Sequence, residues 1–282
     1  MKSVVITGAS TGIGESAARL LIQKGYRVFG SLRRQADAER LAQELGERFV
    51  PLFFDLTDEA AIRSAAEQVR ARLGGETLFG LVNNAGVAVP APLMHQPIHE
   101  FRKQLEINVT AQLSVTQAFF PLLGGDRSRT GAPGRVVNVS SISGRNGSPF
   151  VGAYAASKHA LEGMTESLRR ELMLFGIGVI IVAPGPIATP IWDKADAANE
   201  VEKYKHTEYY EAGKKFQAYV IKNGRNGLSA DAVGRVIVNA LTAKRPRVRY
   251  DITPTPFATW MMSVLPKRLL DAVIARGFGL RK

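Results

Sequence analysis

Short apolar runs separated by helical stretches constrain this 282-residue chain more than any other feature. "SVVIT" (3–7), "YRVFGS" (26–31), "FVPLFF" (49–54), "TLFGLV" (77–82), "RVVNVS" (135–140) and "GVIIVA" (178–183) read as strands. Most lack strict alternation, as expected of parallel strands covered on both faces. Between them lie helical patterns such as "IGESAARLLIQK" (13–24) and "DEAAIRSAAEQVRARL" (58–73). Such a chain buries its sheet by placing helices on each side. The expected fold is therefore α/β, a doubly wound parallel sheet joined by right-handed crossovers.

The first strand runs into "TGASTGIG" (7–14), with glycines at 8, 12 and 14, and then into a helix. Gly8 permits the tight turn, Gly12 lets the backbone approach a pyrophosphate, and Gly14 allows close packing of helix on strand. The helix N-terminus then offers free N–H groups and a positive dipole end. A tight turn without a ligand would use the same glycines. In dinucleotide-binding folds an acid after the second strand holds the ribose 2′-hydroxyl. Here that strand ends "VFGSLRR", with Leu32 in the acid's place and Arg33 and Arg34 after it. An arginine there can pair with a 2′-phosphate, which favours NADP(H) over NAD(H). Two solvated arginines at a helix start are the plainer reading.

Further along stand "NNAG" (83–86), Asn108 in "EINVTAQ", "NVSS" (138–141), "YAASK" (154–158) and "PGPIAT" (184–189). With the glycine turn, in this order and spacing, they resemble the short-chain dehydrogenase/reductase family over nearly the whole chain. The general pattern, including "RPRVRY" and the C-terminal tail, is similar to the retinol- and steroid-dehydrogenase branch. The resemblance implies a Rossmann-type oxidoreductase domain over about 1–250, including a substrate cover at about 186–228. An amphipathic helical tail at 251–282 lies outside it. It implies catalysis by Asn108, Ser141 (rather than Ser140), Tyr154 and Lys158. Cofactor contacts are implied at Gly8, Ser10, Gly12, Ile13, Gly14, Arg33, Arg34, Asp55, Asn84, Ala85, Gly86, Pro184, Gly185, Ile187 and Thr189, and also at Tyr154 and Lys158. The family's asparagine bends its helix and holds a water that links the lysine to solvent. A buried polar residue satisfied by backbone is the alternative for Asn108. Members using NADP(H) often carry a basic residue just before the second glycine, where this chain has Thr11.

The chemistry also follows from the residues. A free tyrosine titrates near 10, so it is a poor base at neutral pH. On a helix Tyr154 and Lys158 share a face, and an ammonium beside the phenol favours the phenolate. The phenol can then take an alcohol's proton as hydride leaves, or give it to a carbonyl. Ser141 can hold the developing alkoxide. The expected activity is NADP(H)-dependent interconversion of a small lipophilic alcohol and its ketone or aldehyde. The alternative is a non-catalytic NADP(H)-sensing protein of the same fold.

Composition narrows the field. With no cysteine, thiolate catalysis and cysteine-ligated metals are excluded. The four histidines (His95, His99, His159, His206) lack metal-type spacing and read as structural or solvent-facing, so no metal is expected. "MKSVVITGAS" leaves no room for a leader, and no apolar run reaches a membrane span. The expected location is cytoplasmic or peripheral at a membrane surface. The net charge of +12 is concentrated after residue 243, where nine Lys/Arg face two acids. Such charge attracts polyanions, but no nucleic-acid motif accompanies it, so no nucleic-acid partner is expected.

Two stretches stay open. Ile191, Trp192, Tyr209, Tyr210 and Phe216 could face an apolar ligand or cover the core. The tail carries Phe257, Trp260, Met261 and Val264, then Leu269, Leu270, Val273 and Ile274, at helical spacing, with Pro266 between the pieces. It could cover the cleft, lie on an anionic bilayer or contact a partner subunit. The resemblance also implies a homo-dimer or tetramer, paired through helices at about 97–122 and 151–175.

Overall fold

Alternation produces the sheet the sequence predicts. The structure, a computed structural model, describes residues 1–189 and 191–281; the side chains of Ile191 and Lys194 lie outside what is described. The first half runs β1 (Ser3–Ile6), α1 (Gly12–Gln23), β2 (Arg27–Leu32), α2 (Gln35–Leu45), β3 (Phe49–Phe53), α3 (Glu59–Leu73), β4 (Gly80–Asn83), α4 (Ile98–Leu105) and α5 (Ala111–Phe119). It continues with β5 (Arg135–Val139), α6 (Gly152–Glu171), β6 (Gly178–Pro184), β7 (Ile187–Ala188), α7 (Ile191–Ala198), α8 (Tyr210–Arg225) and β8 (Leu228–Ser229). The chain closes with α9 (Ala230–Thr242), β9 (Arg249–Ile252), α10 (Pro256–Val264) and α11 (Lys267–Phe278).

Seven strands form one parallel sheet in the order β3-β2-β1-β4-β5-β6-β9. Successive side chains on a strand point to opposite faces, and here both faces are apolar. Val4 and Ile6 join a layer built with Ala17, Leu21, Leu41, Ile237 and Leu241. Val5 and Val136 join the opposite layer with Ile62, Val69, Val115 and Phe119. That two-sided burial is why the strands read as apolar runs. Helix starts are marked locally: Asp58 accepts from the Ala61 N–H at 2.9 Å, and Ser229 from that of Ala232 at 3.2 Å.

Strand order reverses between β1 and β4, and a doubly wound sheet binds ligands outside the carboxyl ends of its strands at such a switch point. The glycine turn follows β1 and the "NNAG" segment follows β4.

The seventh strand was not foreseen. In "RVRYDI" charge interrupts the apolar pattern, because β9 is an edge strand. One ionic contact draws it in: Arg249 bonds to Glu162 of α6 and, through Nε at 2.9 Å, to Asp251. Glu162 is 8% exposed and also accepts from Ser140 Oγ at 2.8 Å. Breaking a buried pair by removing one charge leaves the other uncompensated. Glu162→Gln is therefore expected to cost about 3 kcal/mol in denaturant unfolding. A loss under about 0.5 kcal/mol, the range of ordinary surface changes, would contradict this role.

Candidate active site

The glycine turn is tied down on both sides. Gly8 N–H donates to Ser31 Oγ (2.9 Å) and Ala9 N–H to the Ser31 carbonyl (3.1 Å), fixing it to β2. Asn84 Nδ2 donates to the carbonyls of Thr7 (2.9 Å) and Gly8 (3.1 Å), fixing it to β4. Thr7 Oγ1 accepts from the N–H groups of Asn84 and Ala85 at 2.9 and 3.1 Å. Gly8 has φ +66°, and a Cβ on Gly14 would lie 2.2 Å from the Gly8 carbonyl. Only glycine fits either place. Among the described residues no side chain caps the amides at the start of helix α1, so its N–H groups are left for an anion. Thr189 faces the turn, its Cγ2 3.4 Å from where a Gly12 Cβ would stand. Ser10 and Ile13 lie half-buried on this turn.

At the end of β2, Leu32 is buried and Arg33 and Arg34 are exposed. Arg34 forks onto Asp37 at 2.8 and 2.9 Å, so of the two only Arg33 has no hydrogen bond or ion pair among the described residues. Asp55 accepts from the Thr57 N–H (2.9 Å) and hydroxyl (2.7 Å). Those bonds, with Arg33 nearby, hold its carboxyl below the usual range. An uncapped helix start, a glycine cradle and an uncommitted arginine in place of an acid fit a dinucleotide phosphorylated at the adenosine ribose. Sequence reasoning missed Arg40, which donates to the Ser10 carbonyl (2.8 Å) and to Glu15 (3.0 Å). Its signal, an arginine one and a half turns into α2, is too common to single out.

Strand β5 and helix α6 bring the reacting side chains together. Ser140 turns toward Glu162, whereas Ser141 accepts from the Ser143 N–H (3.1 Å) and stands near enough to the Tyr154 phenol to act on it. Lys158 is 5% exposed, with Nζ 2.9 Å from the Val139 carbonyl and 5.8 Å from the centre of the Tyr154 ring. Burial pushes its ammonium down to about 8, against the opposing pull of Glu162 one turn on. Burial raises the Tyr154 phenol above its ordinary value, and the nearby Ser141 hydroxyl only partly offsets this. The sequence predicts a phenol acidified by Lys158. In the chain by itself desolvation of the phenolate outweighs a lysine held at that distance.

Asn108 is fully buried where the helix widens into a π-turn, Glu106–Thr110, between α4 and α5. Its Nδ2 donates to the Val87 carbonyl (2.8 Å) and to Ser157 Oγ (3.0 Å), and its Oδ1 accepts from Val87 N–H (2.8 Å). Both amide hydrogens are thus committed within the protein. A Cβ on Gly86 would lie 3.0 Å from Asn108 Oδ1 and 3.7 Å from Lys158 Nζ, so "NNAG" closes directly over that pair.

The cover residues pack on the protein. Trp192 Nε1 donates to the Ile187 carbonyl (2.6 Å), which occupies that carbonyl, and its ring lies against Gly224. Tyr210 donates to Glu202 (2.6 Å). Phe216 is buried with Phe150 and Ala212, and Tyr209 packs on them. Phe150, four residues before Tyr154, is held at φ +62°, rare for a bulky residue. Its carbonyl accepts from Ala91 N–H at 2.7 Å. Pro184 ends β6, and Gly185 N–H donates to the Ile252 carbonyl at 2.7 Å. His95 packs edge-on to Tyr209, and His159 Nδ1 lies 2.8 Å from the Ala155 carbonyl.

Comparison with known proteins agrees with this geometry. The short chain dehydrogenase family matches residues 2–200. The chain belongs to that family. It is an oxidoreductase acting on CH–OH groups. It is 38% identical over 274 residues to an NADPH-dependent 3-dehydrocapnine reductase of Ornithobacterium rhinotracheale, covering 97% of this chain and 96% of that protein. It is 34% identical over 286 residues to human retinol dehydrogenase 5, covering 96% and 87%. A crystal structure of a short-chain dehydrogenase from Streptomyces avermitilis superposes with a TM-score of 0.76 at 25% identity, over 98% of this chain and 94% of that one.

The buried lysine has a consequence for stability. Its folded pKa, about 8, lies below the unfolded 10.5, so the unfolded chain binds the proton more tightly. That penalty is complete below pH 8 and is relieved as pH rises from about 8 to 10.5. Lys158→Met is expected to be more stable than wild type at pH 7, by up to about 3 kcal/mol. Its advantage should shrink as the pH climbs through that window in thermal or denaturant unfolding. A variant less stable at every pH would contradict this assignment.

Proposed function

We propose that the protein interconverts a hydrophobic ketone or aldehyde and its alcohol with NADP(H), NAD(H) being the lesser cofactor, and that Tyr154 carries the proton. One observation carries the reading: the buried Lys158 ammonium stands 5.8 Å from the Tyr154 ring at the end of β5, where Ser140 is turned away to Glu162 and Ser141 is left on the Tyr154 side. Bound along the glycine turn and β4, a nicotinamide dinucleotide would supply the two-electron donor or acceptor. Ser141 and Tyr154 together hold the substrate oxygen. A phenol kept protonated by burial is a ready donor to a carbonyl oxygen, which suits reduction. Lys158, with a pKa of about 8, can exchange protons near neutral pH and so reload the phenol. Asn108 positions that lysine through Ser157 and the backbone of Val87 rather than by touching substrate.

The preference for NADP(H) rests on Arg33, with Leu32 unable to accept from a ribose hydroxyl. The relative named as NADPH-dependent adds support. An apolar substrate is supported by Leu93 and Met94, which are exposed, Leu93 lying against Gly152 two residues before Tyr154.

Reduced-nicotinamide absorbance with a panel of lipophilic ketones and alcohols tests both parts. Tyr154→Phe is expected to lose turnover by at least about 100-fold with cofactor affinity near wild type. Arg33→Asp is expected to move the NADPH-to-NADH preference by about tenfold or more, the size of one charge-assisted contact. A fully active Tyr154→Phe would remove the phenol from the chemistry, and an unchanged cofactor ratio would remove Arg33 from recognition. Cofactor binding without turnover on any substrate would favour the sensing protein instead.

A further inference from the structure

Helices α10 and α11 are joined through Leu265 and Pro266, and no residue in either is buried. On α10, Phe257, Trp260 and Val264 recur at helical spacing and are 72%, 55% and 53% exposed. On α11, Leu269 and Val273 are 51% and 60% exposed, with Leu280 exposed just beyond its end. A few scattered apolar residues on a surface need no explanation, but a run of them along two joined helices does. The opposite side of α11 is already occupied. Phe278 packs edge-on against Phe216 and Tyr219 of α8, with ring centres 5.4 and 5.5 Å apart. The exposed row lies away from that contact, and nothing among the described residues covers it.

Charge selects the occupant. Lys267, Arg268, Arg276 and Arg281 accompany this face against the single acid Asp271, on a protein of net charge +12. In a symmetric contact with a second copy the same patch would meet itself, basic residues against basic residues. An anionic bilayer reverses that sign: phosphate headgroups pair with the cations while the apolar row enters the acyl boundary. At nine and twelve residues, α10 and α11 are too short to cross a hydrocarbon core of roughly 30 Å. No helix among the described residues is long and apolar enough to do so. Lying in the interface remains open to them. Trp260 and Phe257, whose rings pack 5.9 Å apart, are side chains suited to that depth.

We propose that the consecutive helices α10 and α11 are an interfacial docking surface for anionic phospholipid, seating the protein on a membrane through Phe257, Trp260, Val264, Leu269 and Val273. This surface is distinct from the cofactor and proton-transfer sites and does not rest on the catalytic reading. It is nevertheless joined to the active-site loop by rings. Phe278 contacts Phe216, and Phe216 contacts Phe150 at 5.4 Å, four residues before Tyr154. Docking through α10 and α11 would thereby hold the cover beside the membrane.

The test is co-flotation of the full-length protein with phosphatidylglycerol-containing vesicles and with pure phosphatidylcholine vesicles, at low and high salt. Binding is expected to the anionic vesicles, to weaken with salt, and to fall about tenfold or more in the variant Phe257→Ser/Trp260→Ser/Val273→Ser. Its thermal midpoint and its turnover of a water-soluble carbonyl should stay near wild type. A second readout guards against a folding defect: in Trp192→Phe, the emission of Trp260 should shift to the blue on anionic vesicles only. No binding to anionic vesicles, or equal binding by wild type and triple variant, would overturn the proposal. So would concentration-dependent self-association that the triple variant abolishes, without vesicle binding, because the covering partner would then be a second copy.

Discussion

The bond from the Lys158 ammonium to the Val139 carbonyl, 2.9 Å long, is the contact on which the site depends. It draws a charge out of water and onto the carboxyl end of β5. A buried ammonium is costly unless it is paired and hydrogen-bonded. The protein surrounds it with Glu162 one turn farther along α6 and with Gly86 and Asn108 above it. The depression of its pKa to about 8 shows that this compensation is incomplete. The residual cost is a strain on the fold that a lysine serving only as packing would not need. Glu162 spreads the effect, since it also fixes Ser140 and the edge strand through Arg249. A single carboxylate thus joins the reacting loop, the reacting helix and the last strand of the sheet.

Much of this was legible in the sequence, for physical reasons that differ by element. Six strands declared themselves because both faces of a parallel sheet are apolar. The seventh did not, because an edge strand whose pairing is secured by Arg249 need not be apolar. The glycine turn was readable because Gly8 and Gly14 occupy positions that no side chain tolerates. Arg33 and Arg34 are neighbours of one type, and only Asp37, three residues past Arg34, separates their fates. Glu162 extends the row of Tyr154 and Lys158 by one more turn. That spacing was available in the sequence, but its partner Arg249 lies 87 residues away and only folding brings it there. The cover aromatics could not be assigned because an apolar ring looks the same whether it meets a ligand or Phe150.

The phenol shows most clearly where composition and spacing stop. Residues four apart on a helix share a face, yet sharing a face does not set a distance. Lys158 reaches past the ring to a main-chain carbonyl, and the environment of Tyr154 is governed by what excludes water from it. The phenol is consequently a proton donor by default. Any shift toward phenolate has to come from charge brought into the cleft together with its ligands. The aromatic contacts leading from the strained Phe150, four residues before Tyr154, through Phe216 to Phe278 tie the cover to α8 and α11.

Ultraviolet titration of the Tyr154 phenol, taken as wild type minus Tyr154→Phe, tests the central claim most directly. With desolvation raising the phenol, the phenolate signal of Tyr154 in the protein alone is expected at higher pH than that of a free tyrosine. With oxidised nicotinamide dinucleotide bound, whose ring adds positive charge, the signal should move to lower pH, and it should do so less in Lys158→Met. A Tyr154 phenolate already present at neutral pH in the protein alone would contradict the account, as would a titration indifferent to both the dinucleotide and Lys158.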